Sequence, residues 1–293
     1  MSYFILVALL IQFIYGGAFI PYFGENSSSD FKASALKAIH VLSSFIELNA
    51  DVNVLFVQEM LEDGVIAIEK NDRCRDSSSN FVYLPPALYA QKYDNFAACN
   101  AWNASLYYHI QVSLTTNPTF SFFVGDDMNE MGRNQYDMTS TLLHELLHGL
   151  GIETSINHYG LCQTPPIFSF FDLLVFNLSA VTPLYALPDS QRASITNNSL
   201  FYYFDSHQYP LYSKNPFWYG TSVIHGFYGV MNYKGQKRSF VRTLDAFTIN
   251  IFNRMGYKMK NCDSPDWSNV CGFCTSGSTC IISGGQRLNS FFF

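Results

Sequence analysis

The segment Asp137 to Gly151 constrains this chain more than any other. It reads Asp-Met-Thr-Ser-Thr-Leu-Leu-His-Glu-Leu-Leu-His-Gly-Leu-Gly. Positions four apart in an α-helix stack on one face. His144 and His148 therefore present two imidazoles to a single point, the arrangement a bound Zn²⁺ requires. Leu143, Leu147 and Leu150 repeat at i, i+4 and i+7 and would bury the neighbouring stripe. Asp137 or Thr139 can cap the N-terminus. Gly149 and Gly151 weaken the helix, and Gly151 suits a left-handed turn. The sequence thus predicts a helix over 137–151 that ends one turn after the second histidine. Glu145, on the adjacent face, is poorly placed to bind the same ion but can reach a water on it. Zinc lowers the pKa of such a water to about 7, and a carboxylate can take its proton. The same Glu can pass that proton to a leaving amine, which is peptide hydrolysis. A bare H-E-x-x-H also occurs in helices whose histidines are only surface or core residues.

The first residues and the cysteines speak to the compartment. Tyr3 to Tyr15 is an uncharged apolar run, followed by Gly16, Gly17, Ala18 and then Pro21. This resembles a secretory signal peptide over residues 1–17, although its start lacks Lys and Arg. An uncleaved anchor from Phe4 to Phe23 is the alternative, since about 20 apolar residues span a bilayer. Asn26, Asn103, Asn177 and Asn197 each begin an N-x-S sequon, as expected of a secreted glycoprotein. The 7 cysteines all lie beyond the signal segment and read as disulfides in an oxidising compartment. Cys262, Cys271, Cys274 and Cys280 mark a Cys-rich tail at 258–293, stapled or, alternatively, a zinc knuckle. An odd count leaves one cysteine free or intermolecular. Asp72-Arg-Cys74-Arg-Asp76 could be an inhibitory thiol that plugs a zinc site, but a Cys74–Cys99 disulfide is favoured.

Charged residues are only 14% of the chain and aromatics 17%, which excludes disorder as the main state. The net charge of −6, with no basic block, offers little to a phosphate backbone, so no nucleic-acid partner is expected. Residues 24–30 read as a flexible start and Phe31 to Leu48 as a helix through Leu36, Ile39, Leu42, Phe45 and Ile46. Val52 to Gln58 and Val65 to Glu69 read as strands around an Asp-Gly turn. Asn71 to Asn80 reads as loop, and Pro85-Pro86 opens a helix toward Tyr93. Leu106 to Leu114 and Thr119 to Val124 read as strands, and Asp126 to Tyr136 as polar loop. Phe168 to Phe176 is helix or strand, and Ser239 to Met255 is a closing helix. No internal repeat is present.

His144-Glu-Leu-Leu-His148-Gly-Leu-Gly151 resembles the metzincin metallopeptidases, whose pattern is H-E-x-x-H-x-x-G-x-x-H. The last position here is Thr154, not His. In leishmanolysin-like members the third ligand follows a long insertion, and this sequence is similar to that arrangement. Ser222-Val-Ile-His225 precedes Gly229-Val-Met231-Asn-Tyr233, which looks like the family's Met-turn at 229–233. Leu244-Asp245 and Met255-Gly256-Tyr257 look like its C-terminal helix. The resemblance implies an α+β metzincin-like catalytic domain over 18–257. An N-terminal mixed sheet should cover the active-site helix, and an irregular C-terminal subdomain should follow, with 152–224 as an insertion.

It further implies one catalytic Zn²⁺ held by His144, His148 and His225, with Glu145 as general base. Met231 would be an apolar floor beneath the metal. Tyr233 is a candidate catalytic residue, binding the metal or an oxyanion, or else packed aromatic. His158 and His207 remain open as third ligands, with His225 favoured. His40 reads as a helix-surface residue and His109 as a strand-face one. The expected function is a secreted zinc-dependent endopeptidase acting on proteins or peptides, with no stable membrane insertion after signal cleavage. A catalytically inactive, metzincin-like binding protein is the alternative, motivated by Thr154. A sugar-binding role for the aromatics is a third reading, which an intact Glu145 between two histidines argues against.

Overall fold

A computed structural model describes residues 16–70, 73–76, 78–79, 81–93, 99, 108–156, 167–177, 182–195, 200–204, 207–211, 230–232 and 237–260. Its centre is a four-stranded sheet. The strands are β1 (Phe19–Phe23), β2 (Val52–Glu59), β3 (Ala67–Lys70) and β4 (Ile110–Thr115), in the order β1-β2-β4-β3. β1 runs parallel to β2 from the pair Phe19↔Val52, and β2 parallel to β4 from Val54↔Ile110. β3 closes the edge antiparallel to β4, with Ala67 opposite Leu114. Alternation does the sorting: Val52, Val54 and Phe56 of β2, and Ile110, Val112 and Leu114 of β4, are all fully buried.

Two helices cover the sheet. α1 spans Ser29–Phe45, and α2 spans Met138–Gly149 and packs on α1, β3 and β4. α1 begins where a flexible start was expected, because the Ser28 hydroxyl accepts the Phe31 N–H at 3.2 Å and caps it. Its buried face is Phe31, Ala35, Ala38, Ile39, Leu42 and Phe45, whereas Leu36 is exposed. The helix stops at Phe45 because Ile46–Glu47 turns into a strand paired with Lys258–Met259.

The class is α+β, with small sheets and a few helices around one core. The Asp63-Gly64 turn does form, with Gly64 at φ +88°, but β2 and β3 are not partners, since β4 lies between them. Two expected loops carry short strands, Cys74–Arg75 and Gln135–Asp137. Phe168 to Asn177 is strand, one turn of 3₁₀ helix and strand again. The closing helix, α3 (Ala246–Met255), starts seven residues later than expected, because Asp245 caps it by accepting the Thr248 N–H at 2.8 Å.

Residues 1–15 lie outside the described set. Phe19–Phe23 pair in parallel with β2 in the central sheet, so they are not part of a spanning segment reaching Phe23. Among the described residues no helix is long and apolar enough to cross a membrane. Cys74 is bonded to Cys99, so it does not serve as a thiol plug. The Cys-rich tail also lies outside the described residues, apart from 258–260.

α2 packs tightly on β4 at Gly149, where an added Cβ would sit 2.4 Å from Ile110 Cγ2. Gly149→Ala gains up to about 1 kcal/mol of helix propensity but meets an overpacking cost of about 1–3 kcal/mol. We expect a net loss of about 1–2 kcal/mol in urea denaturation. Undiminished stability would mean that α2 can lift off β4 without penalty.

Candidate metal centre

α2 is anchored at its start by a buried ion pair. Asp137 is the N-cap, accepting the Ser140 N–H at 2.9 Å and the Ser140 hydroxyl at 2.5 Å. Arg242 donates to the same carboxylate from Nε at 2.9 Å and Nη2 at 2.6 Å, and to Asp126 at 2.7 Å. Leu142, Leu143, Leu146 and Leu147 are fully buried, so the rotation of the helix is fixed by its apolar stripe. The helix stops sooner than expected, one residue after His148, and Gly151 turns the chain at φ +126°. Tyr257, beyond α3, donates to the Leu150 carbonyl at 2.8 Å and closes the turn from outside.

That rotation brings His144 and His148 together. Their Nε2 atoms are 3.1 Å apart, with ring planes at 83°. His144 Nδ1 lies 2.7 Å from the Val230 carbonyl, and His148 Nδ1 2.6 Å from the Ile152 carbonyl. A carbonyl only accepts, so each Nδ1 carries the proton and each neutral ring turns a lone pair inward from Nε2. Burial lowers the His144 pKa, partly opposed by the Val230 hydrogen bond, which keeps the ring in its ligand form. Two lone pairs at this separation repel unless a cation lies between them. Two Zn–N bonds of about 2.0–2.1 Å at a tetrahedral angle place their nitrogens about 3.3 Å apart. The pair therefore fits the bite of one tetrahedral zinc.

Val230, whose carbonyl meets His144, is followed by Met231. Met231 is fully buried, and the Val230 N–H donates to Asp245 at 3.3 Å. The same Asp245 that caps α3 thus holds the residue whose carbonyl meets His144. Burial raises the Asp245 pKa, against the hydrogen bonds it accepts.

Glu145 is half-buried, and desolvation pushes its pKa up to about 8, against a backbone hydrogen bond from Glu69. It is not alone. Glu69 of β3 is pushed well above the carboxylate range by burial and by the charges of Glu153 and Glu145. Glu153 is raised to about 7 by burial, opposed by Arg73 and reinforced by Asp172. Three carboxylates thus share one poorly solvated region beside the histidines, with Arg73 as a cation acting on two of them. The sequence reading did not single out Glu69, Glu153, Asp172 or Arg242. Nothing local marks them, since each reaches the site from another element.

Thr154 occupies the position where the compact metzincin pattern has its last His. Its hydroxyl donates to Asp172 at 2.5 Å and accepts the Ile156 N–H at 3.1 Å, so it does not face the histidines as a ligand. His158, His225 and Tyr233 lie outside the described residues, and His207 opens the strand His207–Leu211. Among the described residues, no third His, Cys, Asp or Glu completes a metal-holding group with His144 and His148.

His40 is exposed on α1. His109 is buried just before β4, where its Nδ1 accepts the Asn53 N–H at 2.8 Å. Burial lowers its pKa to about 4, against the Asp51 charge. Between that value and the unfolded value of about 6.5, the unfolded chain holds a proton that the folded chain refuses. Stability should therefore be full above about pH 6.5 and fall by about 3 kcal/mol as the pH drops toward 4. Urea denaturation of the chelated protein at pH 7 and 4.5 checks this, with His109→Gln expected to flatten the dependence. An equal slope in that variant would place the acid sensitivity elsewhere.

A family model described as SPBPB7E8-like matches residues 70–231, just over half of the chain. The matched span contains His144, Glu145, His148, Asp172, His225 and Met231. No curated protein and no solved structure matches the chain.

Proposed function

This chain belongs to the SPBPB7E8-like family, and we propose that it is a secreted, zinc-dependent endopeptidase of metzincin type. The observation that carries the reading is the histidine pair: Nε2 atoms 3.1 Å apart, each ring locked by a carbonyl on its Nδ1. His144 and His148 hold one Zn²⁺, and His225 is the third ligand. When bound, the ion supplies Lewis acidity toward water and a substrate carbonyl. Glu145 takes the proton from the attacking water and returns it to the leaving amine. Tyr233, two residues beyond the buried Met231, is placed by the resemblance to steady the developing oxyanion.

The edge of the sheet orients the substrate. The Thr115 N–H donates to the Ile66 carbonyl at 2.9 Å, which sets the antiparallel phase so that Ala67 and Glu69 point their backbone groups away from β4. The Glu69 N–H is taken by Glu145, so an extended peptide pairs through the Ala67 groups and the Glu69 carbonyl. The Cys74–Cys99 disulfide and the exposed Asn26 sequon support an exported, glycosylated protein.

The test uses the full chain from a secreting host. It should carry one zinc per chain after dialysis and cleave an unfolded protein. A chelator should stop cleavage and added Zn²⁺ restore it. Zinc without cleavage would favour the inactive, binding reading, and a chain that takes up no zinc would defeat the metal centre itself.

A further inference from the structure

The turn after Gly151 is held by a polar cluster that the reaction does not use. Asp172 is fully buried, in a one-turn 3₁₀ segment (Phe171–Leu174). Its Oδ1 accepts the Thr154 hydroxyl at 2.5 Å. Its Oδ2 accepts the Ser155 N–H at 3.0 Å, the Ser155 hydroxyl at 2.7 Å and the Ser169 N–H at 2.9 Å. The Ser169 hydroxyl in turn accepts the Asp172 N–H at 3.0 Å and donates to the Glu153 carbonyl at 2.6 Å. Residues 153–155 are thereby fastened to 169–172 at successive peptide groups.

The next peptide upstream is the one that matters to the histidines. The Ile152 carbonyl accepts from His148 Nδ1 at 2.6 Å, and the Ile152 N–H is spent on the Leu147 carbonyl at 3.2 Å. The N–H of that same 152–153 peptide donates to the Gly151 carbonyl at 2.9 Å, and the following carbonyl, of Glu153, is the one Ser169 holds. The direction of the Ile152 carbonyl, and with it the direction of His148 Nε2, is thus held from both sides, and the downstream hold is the Asp172 cluster. We propose that Asp172 is the positioning residue for His148: through Thr154, Ser155 and Ser169 it fixes the 152–155 backbone so that this imidazole meets the metal. The inference rests on the metal-centre reading above. It also gives Thr154 a role, since a hydroxyl at that position serves the anchor where a histidine would have served the ion.

Outer partners of ligating histidines typically account for about 10–100-fold of metal affinity. Thr154→Val and Ser169→Ala each remove one fastening with little change of volume. Asp172→Asn keeps an oxygen for the three Oδ2 bonds and offers an N–H to the Thr154 oxygen, so it should act as the rescuing variant. Each full-length protein is loaded with Co²⁺ in place of Zn²⁺. Its visible spectrum and affinity are read by competition with a chelator, with thermal melting alongside to verify the fold. We expect Thr154→Val and Ser169→Ala to bind about 10-fold more weakly with a displaced spectrum, and Asp172→Asn to stay near the wild type. Folded Thr154→Val and Ser169→Ala proteins with wild-type affinity and spectrum would overturn the positioning role while leaving the enzyme reading intact. A wild-type protein that takes up no Co²⁺ would instead overturn the metal centre on which both stand.

Discussion

Glu145→Gln is expected to keep its zinc and lose peptide hydrolysis by about two orders of magnitude or more, the usual share of a general base. The two side chains match in shape, and the Gln carbonyl oxygen can still accept the backbone hydrogen bond that Glu145 takes from Glu69. The flanking Leu142 and Leu146 are fully buried and do not move. Only the capacity to take a proton disappears. Burial alone pushes Glu145 up to about 8, and a dication beside it favours the ionised form, so the base is available near neutral pH. Metal-to-protein ratio and kcat/KM measured on one preparation separate the two properties. Unchanged turnover would mean that the chemistry lies elsewhere, and lost metal would mean that Glu145 holds the site together.

The parts of the fold legible in the sequence were those whose cause is local. α2 was readable because its leucine stripe, its Asp137 cap and its glycines all point to the same element. β2 was readable because Val52, Val54 and Phe56 alternate with half-buried residues. The unreadable parts were settled by distant partners. Ile46 continues the helical spacing, yet it leaves the helix to pair with Met259, more than two hundred residues away. β2 and β3 follow one another around an Asp-Gly turn, the local signal of a hairpin. The parallel strand β4 intervenes because it brings three more buried apolar side chains to the core.

The site divides along the same line. Two imidazoles on one face follow from helical geometry, and they meet in the structure. What the helix cannot announce is how the rings are aimed. Val230 lies 86 residues beyond His144, and it is placed by Asp245, which also caps α3. Asp172 reaches the turn after Gly151 from a segment whose periodicity decided nothing. Glu69 and Glu153 acquire their shared environment only because β3 and that turn converge on one face of α2. Residues of this kind are ordinary polar letters in a sequence, and their roles exist only once the chain is closed.

His225→Ala should lose most of the zinc and with it the hydrolysis, while His158→Ala and His207→Ala should keep both. A catalytic zinc usually has three protein ligands and one open position, and α2 would supply two. The carbonyl of Val230 touches His144 Nδ1, so the chain is at the site by residue 230. His225 precedes Val230 by five residues, a span of at most about 18 Å even when fully extended. Met231 is fully buried, as the apolar floor of such a site would be. His158 starts from a less favourable place, because Thr154 and Ser155, four and three residues before it, are bound to Asp172. His207 belongs to a strand paired with Leu200–Phe204, whose register puts it opposite Phe204. Zinc content of the three dialysed variants decides between them. A His158→Ala protein that loses its metal while His225→Ala keeps it would reassign the ligand and leave Met231 as an ordinary core methionine.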